Sequence, residues 1–190
     1  ERSKETVYAG LEEVKSSLEP RGAVVAYKAD RGGTDTIYKV SLIVSNAVAG
    51  EPIDMTPPYT ADGTATDPDI SSGAQYKTVV SYADQNQFMP DVPWSVEWLG
   101  NENGDNLLEE GEKAEISVWL LVRDTTQPIT SSSATSYWTA DSNGSNGILS
   151  TGTVVDKNDK FPLTVNPPSG AVLTVERTLP SRLDAIMDLK

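Results

Sequence analysis

The sequence contains no cysteine and no histidine. Without cysteine, thiol catalysis, Cys-ligated zinc and a disulfide framework are all excluded. Without histidine, a Ser-His-Asp triad and an HExxH zinc site are excluded, because histidine is the usual general base near neutral pH and a common metal ligand. Any metal site must therefore be built from oxygen ligands, which favour calcium or magnesium.

Positive charge is also scarce. The 190 residues include 28 acidic and 15 basic side chains, for a formal net charge of −13. Nucleic-acid binding needs a basic surface, and an anionic membrane surface repels an acidic chain, so we expect neither partner. No transmembrane stretch or signal peptide is visible. A domain of this length buries about 70% of the surface of its unfolded chain, which is enough for a sizeable core.

The N-terminal residues carry the pattern of an amphipathic helix. Apolar residues follow one another at spacings of four, three and four, with charged residues between them: Val7, Leu11, Val14 and Leu18. A helix this short is marginal alone in water. Residues 1–19 are therefore predicted to be the C-terminal part of a longer assembly helix that packs on other helices.

After Pro20 the apolar period changes to two, which is typical of strands with one buried face. The clearest alternating runs are Tyr38–Val40–Leu42–Val44, Ile116–Val118–Leu120–Val122 and Leu173–Val175. Further strands are predicted at residues 23–28, 75–82, 94–99, 148–155 and 160–165. About eight short strands without an interior helix predict an all-β fold over residues 20–190, an antiparallel β-sandwich of immunoglobulin-like or jelly-roll-like type.

The segments between these strands differ in length and composition. Residues 49–72 and 125–147 are rich in Pro, Gly, Ser, Thr, Asn and Asp, so both are predicted to be surface loops. Residues 181–190 are predicted to form a terminal helical turn, because Ser181 can cap apolar residues that follow it.

Residues 101–112 have the spacing of a calcium-binding loop. Side-chain oxygens stand at positions one, three, five, nine and twelve, and a backbone carbonyl is available at position seven. The predicted calcium ligands are Asn101, Asn103, Asp105, Leu107, Glu109 and Glu112. The alternative is an acidic hairpin loop without a metal, since Asn, Gly and Asp are common turn residues.

Two weaker candidate sites are visible. Asn143-Gly144-Ser145 is a sequon for N-glycosylation in a predicted loop. The four tryptophans could form a carbohydrate platform, but packing in the core or between subunits is the favoured interpretation. They are Trp94, Trp98, Trp119 and Trp138.

Three segments resemble the archaeal flagellins (archaellins). Residues 168–178, Pro-Ser-Gly-Ala-Val-Leu-Thr-Val-Glu-Arg-Thr, together with Ile-Met-Asp-Leu at 186–189, resemble the C-terminus of that family. Residues 107–116, Leu-Leu-Glu-Glu-Gly-Glu-Lys-Ala-Glu-Ile, resemble a segment just before a core strand. The helix followed by residues 22–27 is placed where archaellins pass from helix to first strand. The resemblance therefore reaches both ends and the centre of the chain.

The resemblance implies a structural subunit of the archaellum, a motility filament outside the archaeal cell. In that family a hydrophobic N-terminal helix is processed from a pilin-like precursor and bundles in the filament core, while the β-domain forms the outer shell. The implied partners are other copies of the chain and other archaellins, and N-glycosylation is frequent. Because the hydrophobic helix is missing here, the chain is expected to be a soluble truncation.

Two other functions share parts of this pattern. A secreted calcium-dependent carbohydrate-binding or adhesion module has the same sandwich and calcium loop, but it needs an exposed aromatic groove. A hydrolase with paired carboxylates, as in glycosidases, needs a substrate cleft. Neither explains the amphipathic N-terminal residues, so we expect a filament subunit without enzymatic activity.

Overall fold

The computed structural model describes residues 17–47, 51–73, 75–129, 133–137 and 155–190, and every regular element in these ranges is a β-strand. No helix within them has the length and apolarity needed to cross a membrane. The sixteen strands are β1 (Leu18–Asp30), β2 (Asp35–Asn46), β3 (Ile53–Asp54), β4 (Tyr59–Thr60), β5 (Thr66–Asp67), β6 (Asp69–Ile70), β7 (Val79–Ala83), β8 (Phe88–Met89), β9 (Trp94–Leu99), β10 (Leu107–Leu108), β11 (Lys113–Trp119), β12 (Leu121–Asp124), β13 (Ala134–Tyr137), β14 (Lys160–Asn166), β15 (Leu173–Thr178) and β16 (Ile186–Leu189).

The larger of the two main sheets, sheet A, has five strands in the order β16-β1-β2-β11-β9. All of its pairs are antiparallel, and their register aligns one apolar row across every strand: Leu189, Val24, Leu42, Ile116 and Val96. Directly opposed residues share one face of a sheet. The period-two pattern of the sequence therefore becomes one continuous apolar face.

The second main sheet, sheet B, has four strands in the order β15-β14-β7-β8. Its register aligns Val175, Leu163, Tyr82 and Met89, all of which are buried. The largest cluster of buried apolar residues contains the apolar rows of both sheets, so the main core lies between them. This arrangement confirms the predicted all-β antiparallel sandwich.

A smaller core lies beside the sandwich. It contains the aromatic side chains of Tyr38 and Trp119, whose ring centroids are 6.0 Å apart, together with Leu121 and Ala134. Leu121 belongs to the three-stranded sheet C, in the order β13-β12-β5. Sheet C is thereby attached to the end of sheet A.

The prediction that Leu18 lies in the N-terminal helix was wrong. Leu18 is the first residue of β1, pairs with Asn46 of β2 and is only 5% exposed within the main core. Strand structure thus begins before the predicted boundary between residues 19 and 20. The side chain of Leu18 is buried by the domain's own sandwich, which a sequence pattern with apolar spacing of four cannot reveal. The other predicted helix positions, Val7, Leu11 and Val14, lie outside the described residues.

The predicted helical turn at residues 181–190 was also wrong. Ile186–Leu189 is a strand that pairs with β1, and Met187 and Leu189 are buried while Ile186 is 56% exposed. This alternation has a period of two. The free edge of β1 decides the conformation, because pairing satisfies the backbone of a segment too short to form a stable helix.

Other strand predictions were right in place, but only some of them were right in extent. Residues 94–99 match β9, whereas the run from Ile116 to Val122 is split at Leu120 into β11 and β12. Leu120 is in the main core, whereas Leu121 is in the smaller core, so the chain changes sheets there. The strand predicted at 75–82 begins only at Val79.

The predicted loop at residues 49–72 contains four strands of two residues each, β3 to β6. A strand of two residues is too short to show a period of two in the sequence. The prediction of about eight strands therefore missed these short strands among the sixteen in the structure. Of the strand predicted at 148–155, only Val155 is described; it is buried and is not in a strand.

Candidate functional site

The predicted calcium loop connects β9 to β11 and contains β10. Its first half is curled by side chains that accept hydrogen bonds from the backbone N–H two residues ahead. Glu102 Oε2 accepts from Gly104 N at 2.6 Å, Asn103 Oδ1 from Asp105 N at 3.0 Å, and Asp105 Oδ1 from Leu107 N at 2.8 Å. These are the local bonds by which Asx-type turns replace secondary structure.

The second half of the loop folds back onto the first. Asn103 Nδ2 donates to Glu109 Oε2 at 3.1 Å, and Glu112 Oε2 accepts from Glu109 N at 2.9 Å. Glu112 is 9% exposed, whereas Asn101, Asn103 and Asp105 are exposed. Leu107 is held against Asp54 of β3 by strand pairing. Hydrogen bonds thus connect Asn103, Glu109 and Glu112, the third, ninth and twelfth positions of the loop. Calcium binding at this loop stays a prediction.

A different acidic group lies in the segment predicted to be a plain surface loop. Asp62, Asp67 and Asp69 each offer a carboxylate oxygen within 4.8 Å of the others, and the described residues contain no second group of three acidic side chains this close. The sequence signal was the run Asp67-Pro68-Asp69 five residues after Asp62, which we interpreted only as turn composition. The contact arises because β5 pairs with β12 and β6 pairs with β4.

Within this acidic group, Asp67 has the least contact with solvent. Asp67 is 4% exposed, and its Oδ1 accepts a hydrogen bond from Asp62 N at 3.2 Å. Burial raises the pKa of the Asp67 carboxyl, and the neighbouring charges of Asp62 and Asp69 act in the same direction. By contrast, hydrogen bonds from Thr64 lower the pKa of the exposed Asp62 carboxyl.

An open cavity of about 480 Å³ adjoins the acidic group. One wall is the outer face of sheet A, where Lys39, Ser117, Ser95 and Glu97 contribute, and the other is the turn before β5 that contains Asp62. The lining combines hydroxyl groups with charges of both signs, including Arg123 of β12. Such a surface has no single chemical preference, so it does not identify a ligand.

Lys39 is the basic group of the cavity on sheet A. Its Nζ lies 4.2 Å from the ring centroid of Tyr27 and 5.2 Å from that of Trp119, which are its neighbours on β1 and β11. Burial lowers the pKa of the Lys39 ammonium. Burial also raises the pKa of the Tyr38 hydroxyl to about 12, so Tyr38 is neutral at physiological pH.

The tryptophans are packing residues where the structure describes them. Trp94 is fully buried, Trp119 is 3% exposed, and Trp98 packs against the main core. Trp119 Nε1 donates to Ser95 Oγ at 2.9 Å. Because sugars stack on exposed rings, these three residues do not form the carbohydrate platform considered above. Trp138 and the sequon at Asn143 lie outside the described residues.

The family described as archaeal-type flagellin matches residues 1–177 of this chain. A curated relative named "Probable flagellin 1", from Archaeoglobus fulgidus, is 29% identical over 195 residues, covering 100% of this chain and 78% of the relative.

Two solved structures share the fold. The archaeal flagellum of Methanospirillum hungatei matches with a TM-score of 0.53 at 15% identity, over 99% of this chain and 79% of that chain. Crystalline archaeal flagellin FlaB1 from Methanocaldococcus jannaschii matches with a TM-score of 0.55 at 11% identity, over 92% of this chain and 96% of that chain. Because the family match spans nearly the whole sequence, the chain belongs to the archaeal-type flagellins.

Proposed function

We propose that this chain is a structural subunit of an archaeal flagellar filament, acting by self-assembly outside the cell and not by catalysis. The observation that carries the proposal is the family match over residues 1–177, which includes both the N-terminal segment and most of the β-sandwich. The neighbours of the same fold include a flagellum and a flagellin crystal structure. The partners are further copies of this chain and other archaellins.

The β-sandwich suits the shell of a filament. Its core is enclosed by sheets A and B of the same chain, so the domain can fold before assembly. Each fully buried aliphatic side chain contributes about 1.5–3 kcal/mol of transfer free energy. Contacts between copies are then free to use surfaces that the fold itself does not need.

Assembly is proposed to depend on the predicted N-terminal helix. Val7, Leu11 and Val14 are the residues proposed to face neighbouring helices or the subunit body. Burial of apolar surface at about 25 cal/mol per Å² drives such packing. A net charge of −13 on each copy opposes it, so filament stability should rise with ionic strength.

The test uses filaments isolated from the source cells. Mass spectrometry of purified filaments should find peptides of this chain, and an antibody raised against the chain should label them along their length. A strain without the gene should lose these filaments, or should make filaments that lack this chain. Complementation with the gene should restore the chain to the filaments. Filaments that contain no peptide of this chain, with the protein recovered only inside the cell, would refute the proposal.

A further inference from the structure

The bond between Asn103 and Gly104, in the loop between β9 and β10, brings together the groups needed for a self-modification. Both residues are exposed. Gly104 has φ +91°, and among the described residues other than Gly104 and its two chain neighbours no heavy atom lies within 4 Å of where a Cβ would be. Gly104 has no side chain of its own that could hinder the approach of its backbone nitrogen to the side chain of Asn103.

We propose that Asn103 deamidates by itself through a cyclic imide formed with the backbone nitrogen of Gly104. The product is an aspartyl or isoaspartyl residue at position 103. The proposal does not depend on filament assembly, because every reacting group belongs to this one loop.

The nucleophile is the Gly104 nitrogen, and a base is already in contact with it. Gly104 N–H donates to Glu102 Oε2 over 2.6 Å. A carboxylate at this distance can accept the proton while the nitrogen attacks. Its position comes from the sequence itself, since Glu102 lies two residues before Gly104.

The electrophile is polarised by a second hydrogen bond. Asn103 Oδ1 accepts from Asp105 N over 3.0 Å. Attack at the side-chain carbonyl places negative charge on this oxygen, and a backbone N–H at that distance stabilises the charge as an oxyanion-hole donor does.

The leaving group is held by a third hydrogen bond. Asn103 Nδ2 donates to Glu109 Oε2 over 3.1 Å. Together with the bond to Oδ1, this contact restricts rotation of the amide. Restricting a reacting group lowers the entropic cost of the transition state where the restricted orientation is the reactive one.

The step balances with water as the only co-reactant. Glu102 takes the Gly104 N–H proton, the bond from Gly104 N to Asn103 Cγ forms, and the bond from Cγ to Nδ2 breaks. Nδ2 leaves as ammonia with the proton that Glu102 had taken. Water then opens the imide at either carbonyl, which gives the aspartyl or the isoaspartyl product, and each product adds one negative charge to the loop.

The experiment follows deamidation in the full chain by peptide mapping during incubation at mildly alkaline pH. The mass gained when an amide NH₂ becomes OH is expected at position 103, with an isoaspartyl fraction detectable by retention time. Asn143–Gly144 and Asn146–Gly147 report the rate of the same dipeptide elsewhere in the chain.

Matched variants test the role of the base. Glu102→Gln should slow deamidation at position 103 by about tenfold, below the ~10²–10⁴ typical of well-matched general bases, since a carboxylate is a weak base for an amide. Glu110→Gln removes a nearby carboxylate and should leave the rate unchanged. No deamidation at position 103 while the other two pairs react would overturn the proposal. Equal rates in wild type and Glu102→Gln would overturn the role of Glu102, provided circular dichroism shows both folded.

Discussion

Lys39 lies over the ring of Tyr27, its directly opposed neighbour across β1 and β2, with Nζ 4.2 Å from the ring centroid. Trp119 opposes Lys39 from the other side, on β11. The register of sheet A therefore sets an ammonium between two aromatic rings on the face turned away from the main core. Burial lowers the pKa of the Lys39 ammonium. The two rings attract the cation and so offset part of the free-energy cost of burying it.

A double-mutant cycle measures this contact. Tyr27→Leu and Lys39→Met each remove one partner and keep much of the apolar volume. We expect a coupling free energy of about 0.5–2 kcal/mol from denaturant unfolding of the two single variants, the double variant and wild type. The control pairs Tyr27→Leu with Lys160→Met on sheet B, which should be additive. Additivity in the first cycle as well would show that Lys39 gains nothing from Tyr27.

The conformation of β16 is tested by two adjacent substitutions. Met187 is 6% exposed and Ile186 is 56% exposed, although both lie in the segment that was predicted to be a helical turn. Met187→Asp should lower the free energy of unfolding by about 2–5 kcal/mol, because it loses core packing and buries a charge. Ile186→Asp should change it by about 0.5 kcal/mol or less. Equal losses would contradict the alternating register.

The pH dependence of stability tests the environment of Asp67. Because its pKa is raised, the folded state binds this proton more tightly than the unfolded state. Stability from this group is therefore gained as pH falls through the raised pKa towards about 3.9, the unfolded value, and is lost as pH rises. Asp67→Asn keeps an oxygen that can accept from Asp62 N and removes the charge.

At pH 7 we expect Asp67→Asn to raise the melting temperature by a few degrees, since ~1 kcal/mol corresponds to about 2–4 °C at this chain length. Below about pH 4 the difference should vanish. Asp188→Asn, an exposed carboxylate on β16, serves as the control. A lower melting temperature for Asp67→Asn at pH 7 would mean that the ionised carboxylate stabilises the fold.

Calcium binding by residues 101–112 is tested by thermal unfolding in excess calcium and in a chelator. A site filled to 100 times its dissociation constant adds about 2.7 kcal/mol. Glu112→Gln should abolish the difference, whereas Glu110→Gln, at a non-ligand position of the same loop, should retain it. Equal melting temperatures of the wild type in both conditions would reject the site.

Some of the structure followed from local pattern alone. Val40, Leu42 and Val44 recur at every second position, and the structure buries all three in the main core. Strong alternation over many residues leaves one way to bury the apolar face, so these strands were predictable. The candidate sites were less predictable than the strands. The hydrogen bonds that form the turns of residues 102–107 join residues close in sequence, but the approach of Asp62 to Asp69 depends on strand pairing.

By itself the sequence determined the chemistry that is impossible without Cys and His and the all-β class, because composition and periodicity are local properties. The archaeal flagellin family followed from the resemblance of three sequence segments. Only the tertiary structure decided that Leu18 and Ile186–Leu189 are strands, that Leu120 divides two sheets, and that Lys39 lies between Tyr27 and Trp119. Each of these depends on pairing with a segment distant in sequence. The free energy of such pairing exceeds the weak conformational preference of the short segments it recruits.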